Sequence, residues 1–370
     1  MKGFKDSYIY VDGKGVVKTS LSICDGRISA IGEDVSDGIV LADNHILVPG
    51  FIDEHIHGCH GHDVMEANKD SLLDMAKQLA QEGVAYFCPT TMSMSIDDIK
   101  KALQVIADVK ATTYEGAEII GVHLEGPFLS KKYHGAQNEK YIIPGNQEIL
   151  KQFLDASGEQ IRLLTFAYEN DGNNILPMMK HHHITPSLGH SDASAEVAIH
   201  AFNEGVSCVT HCFNAMRGIH HRDVGVVGAS MLKDEVMCEL IADLKHVSKE
   251  AIQLLFKVKG PEKIILVSDA MEAKYLPDGA YALGGQKVIV KDGAARLEDG
   301  TLAGSVLRLD QALKNIREMM PHLTFTQIID LVSKNPAKNL RISDIGTIAV
   351  GQKARFTVVD KAFNIIKTYA

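Results

Sequence analysis

Long apolar runs are missing from this sequence, and with them any candidate membrane span. The opening residues MKGFKDSYIYVDGKG also lack the apolar core of a secretory leader. Both absences point to a cytoplasmic protein with no membrane partner. Basic blocks are missing too. With a formal net charge of −9 and no basic block, the chain offers nothing to neutralise a phosphate backbone, so nucleic acid is not an expected partner. An anionic small molecule stays open, because a few local cations suffice to hold one. The six cysteines (24, 59, 88, 208, 212 and 238) form no CxxC pair and no short disulfide framework. Four lie in apolar runs, where a free thiol behaves as a small hydrophobe, and all six read as reduced. There is no internal repeat, low-complexity stretch or disordered linker. What remains is ordinary globular composition, 45% hydrophobic and 23% charged over 370 residues, enough for a large core.

From about residue 50 the chain alternates short apolar runs with amphipathic ones. The apolar runs are FIDEHIH (51–57), VAYFCPT (84–90), EIIGVHLEG (118–126), IRLLTFA (161–167), HITPSLGH (183–190), VSCVTHCF (206–213), VMCELIAD (236–243) and KIILVSD (263–269). Between them lie helix-like stretches such as DSLLDMAKQLAQEG (70–83), which opens on Asp and Ser, repeats apolar residues at three and four, and stops at Gly. Eight such alternations predict a (β/α)8 TIM-like barrel over residues 49–344, closed by helices within 302–320 and 324–340. The ends read differently. Residues 1–48 are short β-like runs broken by DG, GKG and SDG turns, and 345–370 are β-like again. One small β-sandwich domain built from both termini is the expectation.

PGFIDEHIHG (49–58) places His55 and His57 two apart on a strand, hence on one face. Two imidazoles so placed can hold a divalent transition metal; a satisfied structural pair, or chance among 17 histidines, is the alternative. The other apolar runs decide between them. Run three ends at Glu125, run five at His190, run six carries His211, and run eight ends at Asp269. Singly, each has a plainer reading: a helix cap, an ion pair with lysine, a turn. In a parallel barrel, however, all C-terminal strand ends open on one face, so six ionisable groups from distant positions converge there. A metal site at that mouth becomes the favoured reading.

The segments PGFIDEHIHG, GVHLEGPFLS, PSLGHSDAS, THCFNAM, IADLKHVS, VSDAM and NPAKNLRISDIGTIAVGQKA resemble the N-acetylglucosamine-6-phosphate deacetylases of the amidohydrolase superfamily, from about residue 8 to 360. The resemblance implies that Glu125, His190 and His211 hold a principal divalent metal and that His55 and His57 hold a second, one or two ions per subunit. Zinc is the first choice, and iron, manganese or cobalt suit the same ligands. It implies Asp269 as general base and then general acid. Asn214 and the Ala215 backbone would contact the substrate. Arg222 and His246 would bind its phosphate in a homodimer, with Arg222 acting in its own subunit or reaching in from the neighbouring one. The reaction implied is hydrolysis of N-acetylglucosamine 6-phosphate to glucosamine 6-phosphate and acetate.

Two departures from the family pattern stand near the site. Gln137 occupies the place of a histidine that contacts the substrate amide, and would donate a hydrogen bond to the acetyl oxygen without carrying charge. IADLKHVS carries Leu and Lys where Gly and Leu are common. The rival activities are a deacetylase for another sugar phosphate such as the galacto epimer, a deaminase and a cyclic-amide hydrolase. Cyclic-amide hydrolases commonly bridge their metals with a carboxylated lysine, and no strand end here offers a convincing one. A non-catalytic metal-binding scaffold on the same barrel is the rival from another class, and Asp269 is the residue such a scaffold would not need.

Overall fold

Each apolar run becomes a parallel strand. In the computed structural model, which describes residues 2–33 and 35–370, they are Phe51–Ile56, Val84–Pro89, Glu118–Ile119 continued by Val122–Glu125, Ile161–Phe166, Thr185–Leu188, Cys208–Val209, Met237–Leu240 and Ile264–Leu266. Strands one to three pair in order, and so do strands three to eight. Two bridges close the ring: Thr90 to His123 between strands two and three, and Ile56 to Ala270 between strands one and eight. At the second seam His55 O accepts from Asp269 N at 2.9 Å, and Ala270 O accepts from His57 N at 2.9 Å. The result is a closed (β/α)8 barrel. Its strands are buried on both faces, which is why they read as continuous apolar runs.

The helices form for local reasons. Lys69–Ala80 begins where Asn68 Oδ1 accepts from the amides of Asp70 and Ser71 at 2.8 and 3.3 Å, and buries Leu72, Met75, Ala76 and Leu79. The stretch expected to give a helix over 324–340 divides into Phe325–Asp330 and Lys334–Asn339. Ser333 between them is non-helical (φ −134°, ψ −78°). Pro336 then sits in the first turn of the second piece, where no amide donor is required.

The termini share one six-stranded sheet in the order Ile365–Tyr369, Phe356–Asp360, His45–Pro49, Gly3–Val11, Gly15–Cys24, Arg27–Ile31. It docks on the barrel near Gly83, whose carbonyl accepts from Thr357 Oγ1 at 2.6 Å. A three-stranded sheet, Gly279–Leu283, Gln286–Lys291 and Ala294–Arg296, follows the eighth strand and was not anticipated from the sequence. Its signals are two-residue turns. Gly284-Gly285 (φ 54° and 77°) and Asp292-Gly293 (φ 52° and 71°) have the paired positive φ that matches strand twist.

Phe356 is fully buried in the terminal sheet, its ring edge-on to Phe4 at 5.7 Å. Phe356→Ala is expected to cost about 3–5 kcal/mol, read as a lower denaturation midpoint with metal binding retained. An unchanged midpoint would contradict this packing.

Candidate metal centre

Four histidines and two carboxylates meet over the C-terminal mouth of the barrel. His55 and His57 share a face of the first strand, and Glu125 ends the third. His190, His211 and Asp269 stand just past strands five, six and eight, all in left-handed backbone (φ 47°, 31° and 46°). Non-glycine residues seldom hold that conformation, at about 1–3 kcal/mol each. Here it accompanies the turn of each side chain inward over the barrel.

The distances are mutually consistent. Glu125 Oε1 lies 3.1 Å from His211 Nε2 and 3.2 Å from His190 Nε2, while Oε2 lies 3.2 Å from His57 Nε2. The Nε2 atoms of His190 and His211 are 3.2 Å apart, and those of His55 and His57 3.3 Å apart. Asp269 Oδ1 sits 3.2 Å from His57 Nε2 and 3.4 Å from His55 Nε2. Two triads therefore share Glu125: Glu125, His190 and His211, and Glu125, His55 and His57.

The opposite ring nitrogens fix the tautomers. His55 Nδ1 donates to Glu239 Oε2 at 3.0 Å, His57 Nδ1 to the Thr90 carbonyl at 3.2 Å, and His190 Nδ1 to the Tyr133 carbonyl at 3.0 Å. Those oxygens can only accept, so the proton sits on Nδ1 and each Nε2 turns a lone pair to the centre. Lone pairs at such separations repel unless positive charge lies among them. Ligands about 2.0–2.1 Å from a tetrahedral cation stand about 3.3–3.4 Å from one another, close to the 3.1–3.6 Å found here. The donor set fits a divalent transition metal.

In the metal-free protein, protons take the cation's place. Burial opposes a charged His57, but hydrogen bonds with Asp269 and Glu125 outweigh it and push its pKa up to about 9. His55 is raised in the same way, against burial, by Asp269, Glu239 and Glu125. Burial would raise Asp269, but His55, His57 and His211 hold it at about 2. Glu125 is likewise held well below the usual carboxylate range, against burial, chiefly by His55 and His190.

Beside this centre opens a cavity of about 350 Å³, at the small end of ligand pockets. Glu125, His57, His190, His211 and Asp269 reach it, and so do Gln137, Asn214, Ala215 and His246. The unanticipated sheet and the loop after it contribute Leu283, Thr301, Leu302 and Gly304. His246 is held by Asp243, whose Oδ2 accepts from Nδ1 at 2.7 Å.

Gln137 stands differently from expectation, and the place of Arg222 bears on the expected homodimer. Gln137 lines the cavity, but its amide nitrogen donates to Glu125 Oε2 at 2.6 Å and lies 3.5 Å from Met92 Sδ, while Ser93 N donates to its Oε1 at 2.7 Å. Its hydrogen-bonding groups are thus committed to protein partners, and the expected donation to an acetyl oxygen gives way to holding Glu125. Arg222 lies outside its own chain's cavity, in a separate exposed cleft with Ser194 and His221. Two buried residues at the centre, His123 and Glu239, were not anticipated. The only signal for them is an ionisable residue inside an apolar run, GVHLEG and VMCELIAD.

Residues 46–370 match the amidohydrolase family. The N-acetylglucosamine-6-phosphate deacetylase of Bacillus subtilis (strain 168) is 37% identical over 374 residues, covering 98% of this chain and 94% of the relative. The crystal structure of N-acetylglucosamine-6-phosphate deacetylase from Thermotoga maritima matches with a TM-score of 0.89 at 34% identity, covering 99% of this chain and 97% of that one. A mutant N-acetyl-D-glucosamine-6-phosphate deacetylase from Mycobacterium smegmatis, in complex with N-acetyl-D-glucosamine-6-phosphate, matches with a TM-score of 0.92 at 25% identity, covering 100% and 98%.

A metal entering this centre must displace the proton on His57, whose pKa is raised to about 9. The proton is bound below that pH, so apparent Zn²⁺ affinity should weaken as pH falls from 9 to 6, by about tenfold per unit for each displaced proton. Chelator competition across that range checks it. A pH-independent affinity would contradict it.

Proposed function

The chain belongs to the amidohydrolase family, and from that premise we propose that it hydrolyses N-acetylglucosamine 6-phosphate to glucosamine 6-phosphate and acetate. The observation that carries this reading is the position of Asp269. It faces both the metal triads and a cavity of amino-sugar size, lying 3.2 Å from His57 Nε2. Glu125, His190 and His211 would hold the principal ion, and His55 and His57 with Glu125 a second. A divalent cation held there would lower the pKa of a water towards neutrality and polarise the acetyl carbonyl. Zinc suits the near-tetrahedral spacing best among the metals that take imidazole and carboxylate ligands.

The chain's own residues do the rest. Asp269, kept ionised by the positive charge beside it, accepts the proton of the attacking water. It then returns that proton to the sugar nitrogen as the C–N bond breaks, and the water's second proton passes from the acid product to the amine, so acetate and an ammonium leave in balance. Gln137 and Ser93 hold Glu125 in place while this happens. Asn214 and the Ala215 backbone line the cavity and would stand beside the reacting amide, and His246, held by Asp243, would contact the phosphate. That remote anchor orients the amide for attack.

Arg222 lies outside its own cavity, and Ile219 nearby is 51% exposed. Both support a homodimer in which Arg222 reaches the neighbouring subunit's phosphate site. A small-molecule phosphoester handled this way suits a cytoplasmic enzyme of amino-sugar catabolism or recycling. The cyclic-amide alternative is not favoured, since no lysine stands among the six converging side chains.

Asp269→Asn should bind Zn²⁺ at wild-type stoichiometry while kcat for acetate release from N-acetylglucosamine 6-phosphate falls by about 10²–10⁴. Retained turnover in a zinc-loaded variant would remove Asp269 from the mechanism.

A further inference from the structure

Glu239 lies on the seventh strand, Met237–Leu240, a position to which none of the expected roles falls. It is completely buried. One carboxylate oxygen, Oε2, accepts from His55 Nδ1 at 3.0 Å and from the backbone amide of His211 at 3.1 Å. The main-chain carbonyl of the same residue accepts from the next amide, Cys212 N, at 2.8 Å. Glu239 thus grips two successive amides of the turn that aims His211, and that turn is the strained one with φ 31°. The other hydrogen bond sets the ring of His55. These two histidines belong to different triads around Glu125.

A carboxylate is costly to bury without partners, and the charge-assisted partners of Oε2 are groups of the metal centre itself. A carboxylate that takes the Nδ1 proton of a ligand histidine fixes its tautomer, orients its ring and raises the basicity of Nε2. Holding the His211 amide with the same oxygen couples the placement of the two ligands. If the His211 turn relaxes, the acceptor for His55 moves with it.

We propose that Glu239 is a positioning residue that ties the two halves of the metal centre together, holding His55 by its ring and His211 by its backbone through one oxygen. The proposal rests on the metal-centre reading above. It requires that changing Glu239 weaken metal binding while leaving substrate affinity alone, because Glu239 does not line the cavity.

The test compares wild-type protein, Glu239→Gln and Glu239→Leu. Zn²⁺ affinity is measured by chelator competition, the visible spectrum with Co²⁺ substituted, and KM for N-acetylglucosamine 6-phosphate at saturating Zn²⁺. Gln keeps the shape and one accepting oxygen but loses the charge; Leu loses both. Glu239→Gln should weaken Zn²⁺ binding by about tenfold and Glu239→Leu by about a hundredfold or more, with a shifted Co²⁺ spectrum and an unchanged KM. If Glu239→Leu does not fold, Glu239→Gln decides alone. Wild-type Zn²⁺ affinity and an unaltered Co²⁺ spectrum in Glu239→Gln would overturn the role of Glu239. Failure of the wild-type protein to bind Zn²⁺ would instead overturn the metal reading beneath it.

Discussion

Glu125 has four imidazoles within 3.6 Å of its two oxygens, and the organisation of the mouth follows from that. A buried carboxylate needs compensating charge, and so do three imidazole lone pairs turned towards one another. A cation satisfies both at once; without it, protons must. Gln137 constrains the carboxylate from one side, with its amide nitrogen at 2.6 Å. Three of the rings are constrained from behind by acceptors on Glu239, Thr90 and Tyr133. Those three rings are held twice, once at the mouth and once in the layer beneath, while His211 is held through its backbone amide on Glu239 Oε2.

The barrel makes this possible by geometry. Strand ends that are remote in sequence open on one face, and the left-handed turns at His190, His211 and Asp269 carry side chains inward where a continuing strand would carry them along the wall. The seam that closes the ring is part of the site as well. The backbone bonds between strands one and eight run through His55, His57, Asp269 and Ala270, so ring closure fixes the separation of base and ligands. Stability of the fold and registry of the chemistry share those hydrogen bonds.

Much of this is legible in the residues. Strand runs have a length and a composition, and a polar residue at the end of an apolar run is conspicuous; this is why His55, His57, Glu125, His190, His211 and Asp269 can be found without a structure. Glu239 and His123 sit inside their runs, where the same residue type reads as an exception with no direction attached. The sheet over 279–296 was hidden in the stretch between barrel and closing helices, though its two turn dipeptides name it once sought. The aim of Gln137 is set by Ser93, Met92 and Glu125, contacts spread over the second and third βα loops that no local pattern reports. Arg222 is well placed in sequence beside the site loops, and only the folded chain shows that it faces away from its own cavity.

The most direct test of the account is acetate release by metal-depleted protein before and after Zn²⁺ is restored, with N-acetylglucosamine 6-phosphate compared against the unphosphorylated sugar and the galacto epimer. The account predicts release only after metal is restored, fastest from N-acetylglucosamine 6-phosphate and poor from the sugar lacking phosphate. Stoichiometric Zn²⁺ with no acetate from any of the three would leave the barrel and its metal centre standing and contradict the deacetylase.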